Sequence, residues 1–147
     1  SSLYARSSSS RDATPDTLRS DRDNNLYWRM NPIRMESQVI RDSLLSLAGE
    51  LDTTLGGPSI PVNNTGSKRR SLYYFHSKNE RNKLLSVFDD ANVLDCYRRA
   101  SSIVPQQALA LENSELAQEL AIKIVNQMEP ASSDRDFIAS AFRKVLG

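Results

Sequence analysis

The sequence predicts a mainly α-helical domain, with about four amphipathic helices in an irregular bundle, long loops and little or no sheet. Three observations lead to this fold class. Apolar residues recur at helical spacing in several separate stretches. The connections between these stretches are long and have no period. Only one stretch, RRSLYYFHS at 69–77, has a strand-like composition. A bundle of this kind is held together mostly by its apolar faces.

The first part of the chain divides into a polar segment and a helical stretch. Residues 1–25 are polar and include a serine run, which predicts an extended or partly disordered initial segment. Residues 26–147 are predicted to form a single helical domain. Its first helix is expected within 31–52, with Asn31 as the cap and Pro32 at the first helical position. The apolar residues at helical spacing in this stretch are Ile33, Ile40, Leu44, Leu47 and Leu51.

The second part of the chain holds the remaining helices. The stretch 53–68 is rich in Gly, Pro and Asn, which is typical of a long loop that is functional or mobile. A short helix is predicted within 79–92, and a long one starts near Pro105. A last helix opens at a capping box of Ser133 and Asp136. The residues that line one face of this last helix are Phe137, Ile138, Ala141, Phe142 and Val145.

The net charge of the chain indicates which kinds of partner to expect. The chain has 19 Lys and Arg against 18 Asp and Glu, for a net charge of +1. Proteins dedicated to nucleic acids or membrane surfaces usually carry a basic excess, so no nucleic-acid partner is expected. No stretch approaches the roughly 18 apolar residues of a membrane-spanning helix. Because the sequence lacks an initial Met and stops just after a helical pattern, we expect it to be part of a longer polypeptide.

The residues that carry metal or nucleophilic chemistry are few. The chain has one histidine, His76, and one cysteine, Cys96. Zinc sites draw several ligands from these types, and haem attachment needs a dedicated motif, so neither metal nor haem nor another cofactor is expected. A nucleophile and base pair of Cys96 with His76 is formally possible, but no local signature supports it. The adjacent Asp89 and Asp90 are more typical of a helix stop or of ion-pair partners than of acid–base catalysis.

Two basic clusters have two alternative interpretations. Lys68–Arg70 lies beside an aromatic run, a combination that can bind single-stranded nucleic acid. Alternatively, the arginines bond carbonyls and carboxylates in the irregular segments, whose buried backbone groups need partners. We interpret the second cluster, Arg98 and Arg99, as such structural clamps for the long loops.

No catalytic residue is assigned, and six polar residues form the candidate site. They are either a binding site or a set of structural clamps. These residues are Arg41, Asp42, Asp89, Arg98, Arg99 and Gln107. We expect at least one mostly buried ion pair among their charged members, joining the first helix to the irregular segment before Pro105. Convergence of the side chains toward solvent would favour a site, and convergence inward would favour clamps.

Three long segments together carry a family resemblance. The segments are NLYWRMNPIRMESQVIRDSLLSLAGELDTTLGGPSIPV, RRSLYYFHSKNERNKLLSVFDDAN and CYRRASSIVPQQALALENS. They resemble the Planctomycete secreted domain family, a C-terminal domain of unknown function found in proteins that also carry cytochrome c-like domains. The resemblance implies a bacterial, exported, multidomain parent whose other domains are the partners. It supplies no catalytic residues, and the haem motif belongs to those other domains.

The function that these observations favour is a non-catalytic binding or scaffold module of such an exported protein, with polysaccharide among the candidate ligands. The first alternative is an accessory domain that completes the active site of an exported enzyme, again with polysaccharide as a candidate substrate. The weaker alternative is nucleic-acid binding through the basic clusters.

Overall fold

The computed structural model describes residues 2, 5–11, 13–95, 102 and 105–146. These residues fall into two compact units, Ser1–Arg34 and Met35–Gly147. The elements in chain order are α1 (Pro15–Ser20), α2 (Ser37–Leu47), a 3-10 turn (Ser71–Tyr73), α3 (Lys83–Val87), α4 (Pro105–Glu112), α5 (Glu115–Asn126) and α6 (Asp134–Leu146). The mainly α-helical fold class is therefore confirmed.

The strand-like stretch forms no sheet in the described part of the chain. It holds the 3-10 turn, and two isolated parallel bridges join Asp52 to Arg69 and Ile60 to Tyr74. Around the second bridge, the Ile60 N–H donates to Tyr73 O at 2.7 Å. At this bridge the long loop lies alongside the stretch that follows it, in the same direction, and each segment meets part of the other's need for hydrogen bonds.

In the described part of the first unit, Ser1–Arg34, several side chains bond to the backbone. The Asp21 carboxylate accepts from the N–H groups of Asn25 and Leu26, each at 2.7 Å. Asn24, which is 1% exposed, donates to Arg29 O at 2.9 Å and accepts from Arg29 N at 3.1 Å. The helix α1 lies within residues 1–25, and Thr14 caps it by accepting from the Thr17 N–H.

Helix α2 begins later than the sequence predicts. The expected start at Pro32 is wrong, because residues 31–36 are not helical and the first helical residue is Ser37. The expected cap, Asn31, has another partner, since its Oδ1 accepts from Asn24 Nδ2 at 2.8 Å. Glu36 stands at the cap position without a side-chain cap bond.

The long helix predicted from Pro105 is two helices. Helix α4 ends at Glu112, and the Asn113 side chain donates back to Leu109 O at 2.9 Å. Ser114 then caps α5, its hydroxyl accepting from the Ala117 N–H at 3.3 Å. A serine followed by an acidic first turn is a helix start signal, and here it divides the predicted long helix into α4 and α5.

Two small apolar clusters form the core of the second unit. The larger one joins α2 to α5 and contains Leu45, Ala48, Leu120 and Ile124, with Leu44, Leu47, Leu51 and Leu116 packed against it. The smaller one contains Ile60, Tyr74 and Leu85. Helix α6 contributes no buried residue. Its Ser133 cap is confirmed by a bond from the Asp136 N–H at 3.2 Å, but Ile138 and Phe142 on its apolar face are 55% and 62% exposed.

Polar contacts at the C-terminal end of α2 connect it to α5. Gly49 takes a left-handed conformation with φ of +68°, which ends the helix. The Gln127 side chain donates to Ala48 O at 2.7 Å. Two lysines hold the Glu50 carboxylate, with Lys123 Nζ at 2.6 Å and Lys68 Nζ at 3.0 Å.

This carboxylate gives a pH-dependent prediction. The hydrogen bond from Lys123, and then that from Lys68, hold the pKa of Glu50 below its ordinary value of 4.5. Because the pKa is depressed in the folded state, the stabilising contribution is complete above the unfolded pKa and is lost as pH falls through the folded pKa. In urea titrations below about pH 4.5, we expect stability to fall less steeply in Glu50→Gln than in the wild type. Glu80→Gln is the exposed control, and identical acid profiles for Glu50→Gln and wild type would contradict the prediction.

Candidate functional site

Arg41 of α2 is directed inward and bonds to the segment 67–71. Its Nη1 donates to Arg69 O at 3.0 Å and to Ser71 Oγ at 3.1 Å, and its Nη2 donates to Ser67 O. The residue is 1% exposed. The sequence places Arg41 at the border of the apolar face, whereas the structure makes it one of the buried residues of α2 with Ser37 and Leu45. A planar guanidinium suits this role because it can serve several carbonyls at once.

Asp42 extends the same contact. Its Oδ1 accepts from the Ser71 N–H at 2.8 Å and from the Ser71 hydroxyl at 2.6 Å. The Arg41 Nη1 lies 3.7 Å from this oxygen, and the two side chains are 2% and 18% exposed. Arg41 and Asp42 thus form a mostly buried pair, but both belong to α2. Their hydrogen bonds, rather than the pairing itself, connect the helix to the segment 67–71.

Tyr74 forms part of the environment of this pair. The Arg41 guanidinium carbon lies 5.0 Å from the centre of the Tyr74 ring, a cation–π contact. The Tyr74 hydroxyl donates to Asn64 O at 2.7 Å, which fixes the ring against the long loop. Burial raises the pKa of Tyr74 above its ordinary value of 10.0, while the nearby Arg41 charge opposes that rise. The phenol therefore acts as a neutral donor.

Asp89 and Gln107 form a second hydrogen-bonded group. Asp89 follows α3 with φ of +58°, and its carboxylate accepts from Ser102 N at 2.8 Å and from Ser102 Oγ at 2.8 Å. Gln107 of α4 is 8% exposed, and its Nε2 donates to Val87 O at 3.1 Å and to Ser102 O at 3.2 Å. These contacts connect the end of α3, Ser102 and α4.

The four predicted site residues that the structure describes fall into two hydrogen-bonded groups. Arg41 and Asp42 bind the segment 67–71, while Asp89 and Gln107 bind Ser102. Arg98 and Arg99 lie outside the described residues. The four that are described direct their hydrogen bonds to other parts of the chain, as the clamp interpretation expects.

Two residues of the first basic cluster, Lys68 and Arg69, are also engaged within the chain. Lys68 bonds to Glu50, as described above. Arg69 donates to Pro58 O at 2.8 Å and to Gly56 O. Its guanidinium carbon lies 4.1 Å from the centre of the Tyr73 ring. Arg69 thus holds the Gly56–Pro58 turn of the long loop, as Arg41 holds the segment 67–71.

A cleft of about 510 Å³ opens beside the Arg41 contact. The start of α3 and the junction of α4 with α5 form most of its walls. The residues that line it are Arg41, Thr65, Tyr74, Asn82, Lys83, Leu84, Val87, Ala110, Asn113, Ser114, Glu115 and Leu116. Asn82 connects the long loop to the wall of the cleft formed by the start of α3. Its side chain donates to Val62 O at 3.1 Å and caps α3 by accepting from the Leu85 N–H.

His76 lies near the Asp90 carboxylate, a contact that the sequence does not predict. His76 Nδ1 lies 3.6 Å from Asp90 Oδ2, and the Asp90 side chain is 4% exposed. The other Asp90 oxygen accepts from Gln38 Nε2 and from the Ala91 N–H. A cavity of about 160 Å³ adjoins this group. The partner considered for His76 in the sequence, Cys96, lies outside the described residues.

Two further findings concern the described residues as a whole. They contain no group of three or more His, Cys, Asp or Glu side chains placed to hold a metal ion. No helix among them is both long enough and apolar enough to cross a membrane.

Sequence reasoning did not find the cleft. Asn82 and Ser114 each have a recognisable cap signal, since each stands three residues before the N–H that its side chain receives. These signals place the starts of α3 and α5 but do not show that the two starts share a cleft. Lys83 and Glu115 are exposed in the structure, and nothing in the sequence shows that they line one cleft.

Comparisons with known proteins identify a family but no activity. A family model described as PSD1, Protein of unknown function (DUF1553), matches residues 1–147, which is the whole chain. No curated protein and no solved structure matches the chain. The resemblance stated from the sequence is confirmed by this match.

Proposed function

The chain belongs to the PSD1 family of proteins of unknown function, and from that premise we propose that it is a non-catalytic binding or scaffold module. The parent in this proposal is an exported, multidomain bacterial protein, as the resemblance to Planctomycete secreted domains implies. The module binds its ligand in the 510 Å³ cleft.

The cleft is the observation that supports this proposal. Its volume lies within the roughly 300–1,000 Å³ that is usual for ligand sites. Leu84, Val87 and Leu116 supply apolar surface, and Thr65 and Asn113 supply hydroxyl and amide groups. An apolar wall with a few polar groups suits a sugar, which has both C–H faces and hydroxyls.

The hydrogen bonds of the predicted site residues favour binding over catalysis. Arg41, Asp42 and Gln107 connect segments of the chain through partly buried hydrogen bonds. Side chains that are held in this way suit a structural role better than a role as catalytic acid, base or nucleophile. Lys68 and Arg69 bond to Glu50 and to Pro58 O within the chain. For this reason the proposal includes no nucleic-acid partner.

The experiment is a binding assay in which one variant fills the cleft. Ala110 of α4 lines the cleft, whereas Ala108 on the same helix is exposed and does not line it. We expect calorimetry against a panel of neutral and acidic oligosaccharides to detect a ligand. Its affinity should be at least about tenfold weaker for Ala110→Trp and unchanged for Ala108→Trp. Absence of binding to every member of the panel, or equal affinity in both variants, would overturn the proposal.

The scaffold part of the proposal is supported by α6. Its apolar face includes Ile138, Phe142 and Val145, which are 55%, 62% and 49% exposed. Contiguous exposed apolar surface of this kind often marks an interaction site. We propose that this face contacts another domain of the parent chain, with the cytochrome c-like domains as the candidates.

An accessory role in an enzyme active site is the second candidate, and the His76–Asp90 contact favours it. An imidazole beside a buried carboxylate is a pairing that general bases use, although the 3.6 Å separation is longer than a hydrogen bond. Ser71 lines the same 160 Å³ cavity. Its hydroxyl, however, donates to Asp42 and accepts from Arg41, so Ser71 is not available as the nucleophile for His76.

A further inference from the structure

The charges that line the cleft are predominantly positive. Arg41 and Lys83 are the cationic members of the lining, and Glu115 is the anionic one. Arg41 is 1% exposed, while Lys83 is exposed. A buried cation and an exposed one therefore line the same cleft.

The Arg41 charge is paired with the Asp42 carboxylate but makes no hydrogen bond to it. Its hydrogen bonds go to the neutral oxygens of Ser67, Arg69 and Ser71. The nearest Asp42 oxygen lies at 3.7 Å, beyond hydrogen-bond distance, and itself accepts two hydrogen bonds from Ser71. Burying a cation is costly unless an anion accompanies it closely. An anion in the cleft would reduce that cost.

The start of α5 adds a second source of positive potential. Ser114, Glu115 and Leu116, the cap and first two residues of this 12-residue helix, line the cleft. The first N–H groups of a helix have no partner within it, and the helix dipole places partial positive charge there. The Ser114 hydroxyl takes the Ala117 N–H, which leaves earlier N–H groups of the turn for other acceptors.

From these observations we infer that the ligand of the cleft is an anionic sugar, bound with its charged group toward Lys83 and the Arg41 wall. This inference rests on the proposed function, since it names the ligand class of the same cleft. The aliphatic wall of Leu84, Val87 and Leu116 takes the C–H face of the ring. A carboxylate and a sulfate substituent supply the same negative charge, and the experiment distinguishes them.

Lys83 and Glu115 make the inference testable, because they line the same cleft with opposite charges. Neutralising Lys83 should weaken the binding of an anionic sugar, whereas neutralising Glu115 should strengthen it. Neither change should alter the binding of a neutral sugar of the same length. A role in shape alone would not produce effects of opposite sign.

The experiment measures the affinity of three oligosaccharides of equal length by calorimetry at low salt. The probes are oligomers of galacturonic acid, of sulfated galactose and of galactose. We expect at least one anionic probe to bind more tightly than the neutral one. Its affinity should be about 2–5-fold weaker in Lys83→Gln and about 2–5-fold stronger in Glu115→Gln, the range of one exposed charge contact. Lys78→Gln, which removes an exposed lysine outside the cleft, should bind as wild type does.

The possible outcomes separate the two proposals. Preference for one anionic probe over the other identifies the charged group and supports the inference. If the neutral oligomer binds as tightly as both anionic ones, or if Lys83→Gln and Lys78→Gln behave alike, the anionic class is wrong. Weaker binding of the same probe in Ala110→Trp than in Ala108→Trp then shows that the proposed function still stands. If no probe binds, the inference is overturned together with the proposed function.

Discussion

Replacing Arg41 with alanine should lower the free energy of unfolding by about 3–5 kcal/mol, the cost of leaving buried partners unpaired. The substitution removes the donors to Ser67 O, Arg69 O and Ser71 Oγ together, in a place that is 1% exposed to water. It also removes the cation beside the partly buried Asp42 carboxylate. The change is measured from urea unfolding midpoints, with the slope checked for constancy.

Arg69 is the matched control for this prediction. It also bonds two loop carbonyls and stacks over a tyrosine, but its hydrogen bonds are exposed. We therefore expect Arg69→Ala to cost only about 1 kcal/mol or less. If Arg41→Ala were within about 0.5 kcal/mol of wild type, Arg41 would not act as a structural clamp.

Leu120→Ala should destabilise the domain by about 2–5 kcal/mol, through lost apolar burial and the cavity that remains. Leu120 is 0% exposed and lies in the cluster with Leu45, Ala48 and Ile124. This cluster joins α2 to α5. A change there weakens the contact between these two helices.

Ile122 provides the control on the same helix. It is two residues from Leu120 and 63% exposed, so Ile122→Ala should change stability by less than about 0.5 kcal/mol. Urea unfolding of the two variants in parallel tests the position of the core. Equal losses in both would show that α5 packs through a different face.

Features that depend on neighbouring residues could be predicted from the sequence. The capping box at Ser133 is an example, because the cap and the N–H it receives are three residues apart. The start of α2 could not be predicted in this way. Asn31 and Pro32 give a sound local start signal, but Asn24 bonds Asn31, and the helix begins at Ser37.

In the candidate site, too, some residues could be predicted from the sequence, but their distant partners could not. Arg41 and Asp42 could be singled out because charged residues beside Ile40 and Leu44 cannot all face water. Their partner Ser71 lies about thirty positions away, separated by 30 and 29 residues respectively. No spacing rule connects residues so far apart. The His76–Asp90 contact likewise arises only when the chain folds back on itself.

The Arg41 contact also determines which parts of the domain can open independently. A long loop on a protein surface usually fluctuates locally, at a free-energy cost well below that of global unfolding. Here, detaching the segment 67–71 would break the Arg41 bonds to Arg69 O and Ser71 Oγ and expose the buried guanidinium. The segment therefore belongs to the same cooperative folding unit as α2, and the cleft beside it persists as long as that helix is folded.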